Sequence, residues 1–232
     1  MVSTQKNIVV TKANALITAS YSLSLNEQRI ILSCAAQLDG RKPIPKDNKF
    51  SLTVEQYKSQ WGGDIKTIYR DMEAAANKLY ERDIKKIGKK KKTRMRWVYM
   101  AEYMKGEGMI KLGFSPEITP YLTMLHKRFT SYRLSDVAEL GSAYSVRLFE
   151  MLAQFQTTGL LRISVDELKE RLQLEDKYGR FANLKARVIN PATRELTQKT
   201  SVDVTWTPIK KGRNVETLEF RFEEKAQKEL QL

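Results

Sequence analysis

One histidine and one cysteine in 232 residues remove most metal and nucleophile chemistry from this chain. A nickase that cuts DNA through a tyrosine needs a pair of metal-binding histidines, which His126 alone cannot supply. No Gly-x4-Gly-Lys-Ser/Thr run occurs, so the phosphate-loop route to ATP-driven work is closed. Acidic pairs such as Glu175-Asp176 and Glu223-Glu224 stand at the ends of elements, without the spacing that two-metal catalysis needs. The lone thiol forms no internal disulfide. Cys34 shares an apolar helical face with Ile30, Ile31 and Leu38 and reads as core, in keeping with a reducing cytoplasm. No apolar run approaches the roughly 18 residues of a membrane span, and the opening MVSTQKN lacks the charged-then-apolar pattern of a signal peptide. These absences point away from an enzyme, a cofactor carrier and a membrane protein.

Positive charge is what the chain has in excess. Forty-one Lys and Arg face 27 Asp and Glu, a net charge of +14. Such a balance says little about fold but implies a polyanionic partner, and with no membrane segment that partner is nucleic acid.

The length allows two domains of about 100 residues each, and the pattern of elements occurs twice. Ser24 to Glu27 is a capping box ahead of a helix over Arg29–Leu38, after a polar lead-in whose one apolar patch is Ala15 to Ile17. A loop over Asp39–Asn48 leads to a short strand at Phe50–Thr53, a helix over Val54–Trp61 and a third helix over about Ile65–Lys86. Met95, Trp97, Tyr99 and Ala101 then face one way, as do Ile110, Leu112 and Phe114 after a Lys105–Gly108 turn, which predicts a hairpin. In the second half Ser142–Phe155 is amphipathic, with Leu148, Phe149, Leu152 and Phe155 on one face. Leu160–Val165 reads as a strand, Asp166–Leu174 and Arg180–Lys199 as helices, and Val202–Trp206 with Leu218–Phe222 as a second hairpin. FSLTVEQYK at 50–58 matches LRISVDELK at 161–169 at a constant offset of 111, capping residues included. One residue further out of step, Tyr69, Met72 and Ala76 fall on Phe181, Leu184 and Val188. The expected architecture is therefore α+β, two tandem winged-helix (winged helix-turn-helix) domains related by an internal repeat, with residues 1–131 and 132–232 as the units. Trp61, Trp97 and Trp206 fall at apolar phases and read as core, and His126 as a surface or capping residue.

The stretch Asp176 to Thr200 carries the candidate chemistry. Phe181, Leu184 and Val188 form an apolar stripe. The other side shows Asn183, Ala186, Arg187, Asn190 and Arg194, with Arg180 on its flank and Lys177 just before it. Arg and Asn are the side chains that read guanine and adenine edges in a major groove, and small residues let a helix sit deep there. A solvated basic face is the plainer reading of the same pattern. Pro191 interrupts it, so the helix either kinks near Asn190 or restarts there. The second hairpin tip holds Lys210, Lys211 and Arg213, placed to clamp backbone phosphates or simply to keep a turn soluble. Lys85 to Arg96 holds eight basic residues in twelve and no acidic one. As a run between helix and strand it is either a mobile loop or a further phosphate contact, through Lys90, Lys91 and Arg94.

Tyr178 to Ala192 (YGRFANLKARVINPA), the strand ending at Trp206, KGR at 211–213 and the alternating Leu218, Phe220 and Phe222 together resemble the replication initiators of iteron-containing theta plasmids, the Rep-3 family. Leu25 to Leu32 (LNEQRIIL) and Phe50–Thr53 are similar too, so the resemblance covers nearly the whole chain. It implies two winged-helix domains that bind direct repeats (iterons) at a plasmid origin as a monomer. It also implies a homodimer, joined through the first domain and in equilibrium with the monomer, that binds an inverted repeat and represses its own gene. Host initiator and helicase are the implied partners, and a bacterial cytoplasm the implied compartment. The family's reading helix aligns with Lys177–Arg194, which implies DNA contacts at Arg180, Asn183, Lys185 and Arg187, Lys185 lying nearest the apolar stripe. Lys66, Tyr69, Arg70 and Lys78 occupy the equivalent helix of the first domain. With Ala74–Ala76 and acidic Asp71 and Glu73, that helix suits backbone contact or subunit packing better than base reading. A winged-helix regulator without a replication role, and a chromosome-coating or RNA-binding basic protein, are the competing expectations.

Overall fold

The polar lead-in turns out to be structural. Val9–Ala13 forms a strand, β1, and Asn14–Ile17 a short helix, α1; Val10, Leu16, Ile17, Tyr21 and Leu23 are all buried. The computed structural model describes residues 8–87, 92–104 and 106–225.

Ser24 then opens α2 (Leu25–Ala35) through the reciprocal cap its sequence promises. The Glu27 amide donates to the Ser24 hydroxyl at 3.3 Å and the Ser24 amide to the Glu27 carboxylate at 2.7 Å. Strand β2 (Lys49–Thr53) runs into α3 (Val54–Trp61), capped the same way by Thr53 and Gln56, and α4 (Ile65–Leu79) follows. Helix α4 stops well short of Lys86, where the sequence pattern predicts its end. Arg82 turns inward to the fully buried Glu27 carboxylate at 3.0 Å. The chain continues as β3 (Asp83–Ile87), paired antiparallel with β4 (Lys92–Arg96). The described arms of the basic run are thus paired strands; Lys90 and Lys91 lie outside the described residues. Strands β5 (Val98–Met104) and β6 (Met109–Phe114) complete the first copy in the order β2-β6-β5. A register shift between Val98 and Met100 puts Val98 in the core and leaves Tyr99 44% exposed, contrary to the simple alternation expected.

Strand β7 (Phe129–Arg133) returns to pair with β1, and α5 (Ser135–Ala138) leads to the second copy. That copy comprises α6 (Ala143–Ala153), β8 (Leu160–Ser164), α7 (Val165–Arg171), a long helix, β9 (Val202–Lys211) and β10 (Asn214–Glu224). Its sheet order, β8-β10-β9, repeats that of the first copy. Helix α6 ends before Phe155, which is exposed rather than on the apolar face. The second capping box is half formed: Ser164 accepts from the Glu167 amide at 3.0 Å, but the Glu167 carboxylate takes Arg171 at 2.5 Å instead.

The long helix comprises α8 (Phe181–Leu184), a π turn over Lys185–Ile189 and α9 (Asn190–Lys199), with right-handed helical backbone at both junctions. Pro191 therefore neither stops the helix nor restarts it. Its ring would strike the carbonyl four residues back in a regular α-helix, and the wider π turn just before it relieves that clash. The burial pattern also moves the expected alignment of the two copies. Ile68 and Met72 correspond to Leu184 and Val188, while Ala75, Ala76 and Leu79 correspond to Ala192, Thr193 and Leu196. Between these two sets of buried positions the second helix carries one residue more than the first, and the π turn lies there.

Candidate nucleic-acid interface

Apolar residues on one side of the long helix fix which side faces out. Leu184, Val188, Ile189, Ala192 and Leu196 are buried, so Arg180, Asn183, Lys185, Arg187 and Arg194 are all left exposed. Lys177 precedes them in the loop after α7 and is exposed as well. Ala182 and Ala186 lie between them with no bulk to hold a partner away.

Electrostatics set this face apart from an ordinary solvated helix. Among the described residues, Lys177, Arg180, Lys185, Arg187 and Arg194 make no ion pair, whereas most other arginines of the chain do. The first turn of α8 holds no acidic residue and Arg180 occupies the cap position without a side-chain cap. Cations at the positive end of a helix dipole are unfavourable in isolation. A polyanion would relieve that repulsion.

The hairpin β9–β10 stands beside this helix. Trp206 on β9 is half-buried rather than a core residue. Its ring meets Phe181 edge-on at 6.4 Å, its Nε1–H donates to Asn190 Oδ1 at 3.2 Å, and the Lys185 ammonium lies 5.7 Å from its centroid. The same hairpin carries Lys210, Lys211 and Arg213 to an exposed tip, where Gly212 takes a φ of +62°. Lys211 pairs with Glu216 at 3.2 Å, a contact between two exposed groups that counts for little in water. Sequence reasoning missed the roles of Asn190 and Trp206. One read as polar face and the other as core, and only their contact across 16 positions reveals them.

The first copy assembles a poorer face. Lys66 and Lys78 are exposed without an ion pair, but Arg70 is tied to Asp71 at 3.3 Å, and Asp71 stands where Arg187 stands in the second copy. Tyr69 is half-buried, its ring so close over Gly108 that a Cβ there would lie 2.6 Å from it. Arg94 pairs with Asp83 across the β3–β4 hairpin, and Arg96 lies 5.7 Å from the Tyr80 ring. His126 is exposed. Among the described residues no group of three or more His, Cys, Asp and Glu side chains could hold a metal ion, and no helix is long and apolar enough to cross a membrane.

Two family descriptions match the chain in tandem: the initiator replication protein WH1 domain over residues 9–153 and the initiator Rep protein WH2 domain over residues 164–222. The chain belongs to the Rep-3 family of plasmid replication initiators. This initiator is 31% identical to a replication initiation protein of Escherichia coli, over 96% of its own length and 72% of that protein. It is 25% identical to the PI protein of Escherichia coli, over 96% of its own length and 85% of that protein. A crystal structure of the Pi initiator protein in complex with iteron DNA superposes on this initiator with a TM-score of 0.80 at 24% identity. That match covers 94% of this chain and 98% of the other, and it shares the two-winged-helix architecture.

Proposed function

We propose that this initiator binds repeated sites in double-stranded DNA at a plasmid origin, laying the Arg180–Arg194 face of its long helix in the major groove. The carrying observation is that face: exposed arginines, a lysine and an asparagine with no ion pair among the described residues, separated by alanines. Arg187 and Asn183 carry the groups that read guanine and adenine edges. Lys177 and Arg194 flank them towards the backbone. The hairpin tip, Lys210, Lys211 and Arg213, takes the adjacent phosphates, which supply affinity and fix register without reading sequence.

Within this reading residues 132–232 are the principal reader and residues 1–131 an auxiliary unit. Lys66, Arg70 and Lys78 contact backbone, joined by the basic hairpin through Arg94 and, outside the described residues, Lys90 and Lys91. Tyr69 serves packing of the first hairpin. The iteron DNA held by the Pi initiator structure supports direct repeats as the ligand. Family membership supports a homodimer that occupies an inverted repeat and represses the gene, and recruitment of host initiator and helicase.

Gel shifts on three duplexes test the reading: a tandem array of sites about 20 base pairs apart, a single palindrome and a scrambled control. An initiator prefers the array. Preference for the palindrome alone would make the protein a dimeric regulator. Equal binding to all three, lost as salt rises from about 50 to 200 mM, would make it a coating protein.

A further inference from the structure

An added residue in an unbroken α-helix turns everything on one side of it by about 100° and moves it by about 1.5 Å. The long helix of the second copy carries such a residue relative to α4, yet both of its ends keep the burial phase of α4. Leu184 and Val188 lie inside before the insertion, and Ala192, Thr193 and Leu196 after it. The π turn absorbs the difference: the Asn190 amide reaches back five residues to the Lys185 carbonyl. Without it, the half bearing Asn183 and Arg187 could not face outward while the half bearing Arg194 stayed seated.

One side chain from the hairpin touches this turn at both ends. Trp206 Nε1–H donates to Asn190 Oδ1 at 3.2 Å, and the Lys185 ammonium sits 5.7 Å from its ring. Phe181, at the start of the helix, packs against the same ring. Asn190 thus gives its backbone N–H to the π turn and its side-chain oxygen to the hairpin.

We infer that Asn190 and Trp206 are positioning residues for sequence discrimination. Their hydrogen bond holds the π turn and so sets the phase of Asn183 and Arg187 against the phosphate-binding hairpin tip. This rests on the base-reading proposed above. The two residues act through the reading side chains, so their loss blurs which sequence is bound while leaving phosphate affinity in place.

The test uses the full chain and a duplex selected by the wild-type protein from a random pool, with a scrambled duplex as control. Asn190→Ala and Trp206→Phe, the latter keeping a ring but no N–H, are each expected to narrow the selected-to-scrambled affinity ratio by roughly threefold to tenfold. The double variant narrows it no further, because both changes remove one bond. Affinity for the scrambled duplex and its salt dependence stay as in the wild type. Asn190→Asp restores an acceptor and returns the ratio, with weaker binding to both duplexes from its charge. A wild-type ratio in either single variant overturns the inference, as does equal weakening on both duplexes or failure of Asn190→Asp to restore discrimination. A wild type that selects no sequence sinks the base-reading itself; one that does, with variants that match it, sinks only the role of this pair.

Discussion

Lys12 Nζ meets Glu150 Oε1 at 2.6 Å with both side chains shut off from solvent, across 138 positions of sequence. Glu150 also accepts from Tyr132 at 2.6 Å and Tyr21 at 3.3 Å, and stands 3.4 Å from Arg147. Arg147 in turn donates to the Ala19 and Arg171 carbonyls at 3.0 and 3.3 Å and lies over the Tyr21 ring. Helix α6 is therefore plugged by its charged residues into the β1–β7 ribbon.

Glu150→Gln should be severely destabilising. It leaves the Lys12 and Arg147 cations buried beside each other with no anion, a change that costs about 3–5 kcal/mol in comparable buried pairs. Denaturant melts at neutral pH measure it. A loss within about 0.5 kcal/mol would mean that the cluster is wet.

Acid should loosen the same joint. Burial pushes the Glu150 carboxyl up, but Lys12 and Arg147 outweigh it and the net displacement is downward. Glu195 behaves alike: its partial burial is overcome by Lys199 on the same helix and by Ser145 and the Gly141 amide, the latter two tying α9 to the start of α6. A carboxyl lowered on folding stabilises fully above its unfolded value of about 4.3, and that contribution disappears as pH falls through the folded value. Thermal stability is expected to drop below about pH 4. Glu195→Gln should be less stable at neutral pH and show a shallower drop on that acid side.

The two kinds of DNA contact separate by mutation. Arg187→Ala should cost about 1–3 kcal/mol on the selected site and relax selectivity at one base position. Lys211→Ala should weaken every duplex alike and reduce the salt slope by about one. Equal weakening on all sequences by Arg187→Ala would show that this arginine does not read bases.

Gly159→Ala probes the sheet beneath the second hairpin. Gly159 sits at φ +62°, and a Cβ there would lie 2.6 Å from the Phe222 carbonyl oxygen, which is backbone and cannot yield cheaply. A loss of about 1–3 kcal/mol in chemical melts is expected. No loss would show that β8 and β10 are not held at this separation.

Cys34 should be inert in the native protein. It is fully buried, and burial pushes its thiol up to about 12. Thiol reagents at pH 8 are expected to label it only at the rate of unfolding, so labelling without denaturant within seconds would contradict its place in the core.

Features that depend on neighbours in the chain are legible in the residue order. Caps at Ser24, Thr53 and Ser164, the 111-residue offset between copies and the apolar stripe through Leu184 and Val188 are local patterns, so the repeated module and the outward face of its second long helix were legible without coordinates. Features that depend on distant partners emerge only when the chain is folded. Helix α4 ends where Arg82 finds Glu27, 55 positions away, and the described arms of the basic run are strands because they pair with each other. Arg147 and Glu150 are charges on a buried helix face, tolerable only because Lys12, Tyr21 and Tyr132 arrive from far along the chain. The π turn is of the same kind: its surplus residue becomes visible only when cores on both sides fix the phase of the helix.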